Sequence, residues 1–114
     1  MSADLTMSEE DLLGAVLDMA AVHGVRTAHF RPALTAKGWR TPVQGDGKGW
    51  PDLVLVGPKG ALFRELKSAA GSPSEEQRAW LVALNVAGQD ANVWRPVDLR
   101  SGRILAELRA VSCG

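Results

Sequence analysis

The 114-residue chain reads as an α/β layered domain, a mixed central sheet of about four strands flanked by helices. Three observations predict this. Two segments, near residues 8–24 and 72–88, carry apolar side chains at helical spacing between plausible caps. Two β-prone runs, "PDLVLVG" and "ALFRELKS", are joined by Gly57-Pro58-Lys59-Gly60, a hairpin signal. A further short run, "ANVWRP", follows the second helix, so strands and helices interleave. The expected order is α, β, long loop, β, β, α, β, α within a single domain, 1–114.

In the first helix, "SEEDLLGAVLDMAAVHG", Ser8 serves as N-cap and acids fill the first turn, where the macrodipole favours them. Leu12, Leu13, Val16, Met19 and Ala20 form the apolar stripe, and Gly24 ends it. Val25 to Phe30 reads as a strand. Residues 31–49, with Pro32, Pro42 and four glycines, read as a long basic loop of the kind that usually has a function. In the second helix Ser72 is the expected N-cap, Pro73 occupies N1 and Glu75 completes a capping box. Trp80, Leu81 and Leu84 form its expected buried face, and Gln77 points the same way. Pro96 stops the last strand, and "SGRILAELRAV" reads as a final short helix, a possible surface for a second copy.

Composition bounds the class. Apolar content of 46% and charged content of 23% are those of an ordinary globular chain. No apolar run reaches about 18 residues, so no membrane span is expected. The acidic first residues lack the basic start of a signal peptide. One cysteine, Cys113, allows no internal disulfide and no zinc cluster. A reducing, cytoplasmic compartment is expected. Net charge is zero, yet it is polarised. Residues 1–25 carry five acids and no Lys or Arg, whereas residues 26–67 carry eight bases against three acids, a local +5.

Within the hairpin, three charges sit badly with their apolar surroundings. Alternation along "ALFRELKS" puts Phe63, Glu65 and Lys67 on one face. Asp52 opens the partner strand, so strand pairing brings it beside Glu65. Two carboxylates side by side repel unless a cation lies between them, and a hard divalent ion with oxygen ligands suits the pair. A lysine on the same face then orients a water or meets an anionic transition state. Each element alone is more often a solvated strand face. The combination of Gly-x-Pro-Asp, 12 intervening residues and Glu-Leu-Lys points to catalysis.

This arrangement resembles the PD-(D/E)XK nucleases, with Pro51-Asp52 followed by Glu65-Leu66-Lys67. More narrowly, about residues 8 to 98 are similar to the VRR-NUC, or virus-type replication-repair nuclease, family. The matching pieces are the early Glu, "AHFRPA", "GWPDLVLV", "LFRELK", "GSPSEEQRAWLVAL" and "VWRPVD". The segment "LTAKGWRTPVQGDGKG" keeps bases but departs in detail, which bears on substrate contacts rather than chemistry. The resemblance implies a restriction-endonuclease-like fold with an α-β-β-β-α-β core, and Mg²⁺- or Mn²⁺-dependent hydrolysis of DNA phosphodiesters. It implies branched DNA, a Holliday junction or flap, as substrate, a homodimer as the working form, and a phage-type setting in replication, recombination or repair. Asp52 and Glu65 match the metal-binding acids and Lys67 the catalytic lysine, with the Leu66 carbonyl as a further metal ligand. Gln77 matches the glutamine of the following helix, and Glu9, with Glu10 as neighbouring alternative, the N-terminal acid.

Arg31, Lys37, Arg40 and Lys48 are the expected phosphate contacts. Trp39 and Trp50 flank the loop and either stack on a base or pack inward. Trp80 and Trp94 read as core and His23 as structural, while His29, close to the loop, reads as a structural histidine before a phosphate contact. The rival readings are a general nicking nuclease, a nuclease-like DNA-binding module without catalysis, and a protein-interaction domain, which leaves the charge polarity of the middle segment unexplained.

Overall fold

In the computed structural model, residues 7–31, 33–36, 38–40 and 44–112 are described, those at 33–35, 39 and 40 by their backbone only. The elements run α1 (Glu9–Val22), β1 (Arg26–His29), β2 (Ala33–Thr35), β3 (Gly38–Arg40), β4 (Leu53–Gly57), β5 (Gly60–Leu66), α2 (Glu75–Val86), β6 (Asp90–Trp94), α3 (Pro96–Arg100) and α4 (Arg103–Val111). The main sheet has the order β1-β4-β5-β6. Its first two pairings are antiparallel and the last, β5 with β6, is parallel. A parallel neighbour requires a crossover, and α2 supplies it. The fold is therefore the α/β arrangement expected, a mixed open sheet flanked by helices.

Three details differ from expectation. The expected long loop, residues 31–49, contains a small separate hairpin, β2 with β3. Strands of three residues near Pro and Gly carry too little alternation to be read from sequence. The C-terminal region holds two helices: Pro96 starts α3, with Asp98 accepting from the Arg95 N–H at 2.7 Å, and Gly102 separates it from α4. Finally, α2 begins two residues late. Ser74 is its N-cap rather than Ser72, and its capping box is closed by Gln77 rather than Glu75. Both Ser-x-x-Glu and Ser-x-x-Gln fit the pattern, and only the second couples the helix start to the sheet.

The core lies on one face of the sheet. Leu53, Leu55, Leu62, Leu66 and Trp94 meet Leu12, Val16 and Ala20 of α1 and Ile104, Leu108 and Val111 of α4. The apolar stripe of α4 is thus consumed by the core and is not a surface for a second copy. On the other face α2 is a thin cover with no fully buried residue. Trp80, Leu81 and Leu84 face the sheet but are only half-buried. The Trp80 indole N–H donates to the carbonyls of Asp46 (3.0 Å) and Lys48 (3.1 Å), which holds the chain before β4 against α2. That approach demands Gly49, at φ +88°, because a Cβ there would lie 2.5 Å from the Glu76 carbonyl carbon. Trp50 packs inward, edge-on to Phe30, Phe63 and Trp80. Trp94 is fully buried as expected.

Arg64 overturns part of the charge reading. It projects into the core face at 1% exposure. Its guanidinium donates to Glu107 Oε1 (2.7 Å through Nη2) and to the Asp90 side chain (2.9 Å) and carbonyl (2.8 Å), and lies 5.0 Å from the centre of the Trp94 ring. Glu107 also accepts from Trp94 Nε1 and Arg103 Nε. Burial opposes the Glu107 charge, but these hydrogen bonds outweigh it and hold the carboxyl below its ordinary value. This base therefore adds little to the surface field of the middle segment.

Arg64→Met strands these acceptors, so we predict a loss of roughly 2–3 kcal/mol in urea denaturation. Lys59→Met, an exposed base of the same segment, is expected to stay within about 0.5 kcal/mol.

Candidate functional site

The β4–β5 register builds the site. Leu53 pairs with Arg64 and Gly57 with Gly60, so one step further Asp52 lies opposite Glu65. Directly opposed residues share a sheet face, which places both carboxylates on the side covered by α2. Asp52 is held by its own chain: Oδ2 accepts the Leu66 N–H at 3.0 Å, and its carbonyl accepts the Phe30 N–H at 2.8 Å. Glu65 is buried at 1% exposure. Its Oε2 accepts from Gln77 Nε2 at 2.8 Å and lies 3.5 Å from Lys67 Nζ. Its Oε1 is buried with no hydrogen-bond partner.

An ionised carboxylate in that position is costly. Burial, then the charge of Asp52, push the Glu65 carboxyl up to about 8, while Lys67 acts in the opposite direction. Near neutral pH the Glu65 carboxyl is therefore mostly protonated. A proton or a cation relieves the same repulsion. The buried, unpartnered Oε1, the adjacent Asp52 oxygens and the all-oxygen donor set therefore fit a hard divalent ion.

Gln77 has two tasks. Its Oε1 accepts the Ser74 N–H at 2.7 Å, which closes the capping box of α2, while its Nε2 reaches Glu65. The same amide caps the helix and orients the carboxylate. The loop between β5 and α2 is clamped by Arg95, whose Nη1 donates to the carbonyls of Ser68 and Gly71. No sequence signal marked Arg95 for this, since the contact joins residues 24 and 27 apart.

The remaining expected residues fall in two groups. Glu9 and Glu10, at the start of α1, line a cleft of about 260 Å³ together with Leu13, His29, Arg31, Asp52 and Leu66. Among the described residues no group of three or more acids, histidines or cysteines is gathered tightly enough to hold a metal. Glu9 thus shares the cleft with Asp52 but does not join the Asp52–Glu65 pair, and Glu10 stands equally in it. Arg31 is exposed in the same cleft. Lys48 lies elsewhere, paired with Glu76 at 3.1 Å across the groove beside Trp80. Lys37, Cys113 and the side chains of Arg40 and Trp39 fall outside the described residues. No helix among the described residues is long and apolar enough to cross a membrane.

No family model, curated protein or solved structure matches the chain.

The raised Glu65 value predicts a pH signature in chelator-treated protein. The folded state holds a proton that the unfolded state releases near 4.5, so between about 4.5 and 8 unfolding releases it. The Glu65 contribution to stability is complete below that window and falls as pH rises through it. Urea denaturation of the native protein against Glu65→Gln should give a stability difference that shifts steadily in favour of the variant from pH 5 to pH 8. Parallel curves would show that Glu65 titrates normally.

Proposed function

We propose that the chain is a metal-dependent endodeoxyribonuclease of the PD-(D/E)XK type, similar to the VRR-NUC nucleases, acting on branched DNA. The observation that carries this reading is the Glu65 carboxyl. It is buried, set against Asp52, oriented on one oxygen by Gln77 and Lys67, and bare on the other. A structural ion pair would be satisfied internally, as Arg64 and Glu107 are. This one is incomplete.

Asp52, Glu65 and the Leu66 carbonyl would hold Mg²⁺ or Mn²⁺. Such an ion supplies charge neutralisation on the attacked phosphate and acidification of water. The residues of the chain account for the rest. Asp52 cannot swing away, because Leu66 N–H and Phe30 N–H hold both its ends. Gln77 fixes the plane of the Glu65 carboxylate. Lys67, with 15% of its side chain exposed, keeps its ammonium at the mouth of the site. There it orients the attacking water or meets the charge that develops on the phosphorus oxygens. Branched DNA as substrate and a homodimer as the working form remain part of the proposal through the family resemblance. A twofold pair of sites suits a symmetric junction.

The test is cleavage of labelled four-way junction, flap, single-stranded and plain duplex DNA with Mg²⁺, Mn²⁺ or EDTA. We expect metal-dependent cleavage that favours the branched substrates. Lys67→Ala and Asp52→Asn should each lower the rate by at least about 100-fold without changing thermal stability by more than a few degrees. Equal cleavage of all substrates would leave a general nicking nuclease. Tight binding without cleavage under any metal would leave a DNA-binding module.

A further inference from the structure

We propose that His29 and Arg31 form a phosphate subsite on the α1 side of Asp52, which takes a diester phosphate of the nucleic-acid strand. The proposal rests on the nuclease reading and extends it to His29, for which the sequence favours a structural role over a phosphate contact. Backbone geometry places the two side chains together. His29 pairs with Leu53, the neighbour of Asp52, and the next residue, Phe30, donates its N–H to the Asp52 carbonyl. Phe30 turns its ring to Trp50 on the α2 side. His29 and Arg31 instead line the cleft shared with Glu9, Glu10 and Leu13 of α1. Both are exposed, both line the cleft with Asp52, and neither makes an ion pair or side-chain hydrogen bond among the described residues.

The cleft is divided by charge. His29 and Arg31 supply N–H donors from the end of β1, while Glu9 and Glu10 enter from α1 and Asp52 from the head of β4. A simple anion would be repelled by three carboxylates. A phosphodiester of a strand that also meets the divalent ion proposed at Asp52 and Glu65 suits the cleft, since its free oxygens meet the donors and that ion offsets the charge of Asp52. At ~30 Å³ for each water, the 260 Å³ holds one such group with several waters. Arg31 presents a planar fork that matches two phosphate oxygens. Lys48, the other described base expected to touch phosphate, is committed to Glu76 and faces a different groove.

Equilibrium binding of fluorescent junction and duplex DNA, with Ca²⁺ replacing Mg²⁺ and NaCl varied, tests this. Arg31→Ala should weaken binding roughly tenfold on every sequence and reduce the slope of log affinity against log salt by about one. Arg31→Lys should restore the slope. His29→Ala should weaken binding roughly fivefold, and His29→Gln, which keeps an N–H donor, should recover most of it. Lys59→Ala, at the far end of the hairpin, serves as a control with native affinity and slope. Native binding with unaltered affinity and slope in all four site variants would overturn the subsite and leave the nuclease reading standing. Absence of DNA binding and cleavage by the native protein would remove both. Inorganic phosphate is the second probe. If it binds with an affinity that Arg31→Ala abolishes, while DNA binding is unchanged, the subsite serves a small phosphate and the strand assignment falls.

Discussion

The pairing register of β4 and β5 is the constraint on which the rest depends. A slip of one residue would turn every side chain of one strand to the opposite face. Leu53 and Leu55 would leave the core, and Asp52 would leave Glu65. The register is fixed at the turn, where Gly57 pairs with Gly60 across only Pro58 and Lys59. It is fixed again by packing: a Cβ at Gly57 would stand 2.0 Å from the Val111 carbonyl oxygen, so the last turn of α4 rests directly on the hairpin. The hydrophobic core and the carboxylate pair are therefore two consequences of one alignment.

The two polar clusters of the sheet show how differently buried charge can be treated. On the core face, Arg64 has a donor for each of several acceptors and Glu107 receives three partners, so the cluster is complete and stabilising in place. On the α2 face, Glu65 is equally buried but only one oxygen is served. A buried carboxylate left half-satisfied lowers stability, and proteins tolerate such positions where a ligand completes them. That contrast within one strand, at consecutive residues, gives Glu65 its weight in the functional reading.

The helix α2 connects the site to the rest of the fold more tightly than its modest burial implies. Its N-cap amide is also the partner of Glu65, and its Trp80 holds the segment leading into Trp50 and Asp52. Arg95, from the end of the adjacent strand, pins the loop that delivers it. Movement of this thin layer would be felt at Glu65 first, through a single hydrogen bond of 2.8 Å.

The sequence by itself determined the α/β class, the first helix with its Ser8 cap, the hairpin and the meeting of Asp52 with Glu65, because these follow from local periodicity and a short turn. Arg64 illustrates the limit. As text it is one more base in a basic segment, and only the packing of α4 against β5 supplied Glu107, 43 residues away, to neutralise it. The start of α2 was ambiguous for the same reason: two capping boxes fit the letters, and the contact of Gln77 with Glu65 on another element selected one. The placement of His29 beside Arg31 in the cleft, the clamp by Arg95 and the loss of α4 to the core were likewise decided by tertiary structure. Each depends on which residues distant in sequence arrive at the same place, and no local propensity encodes that.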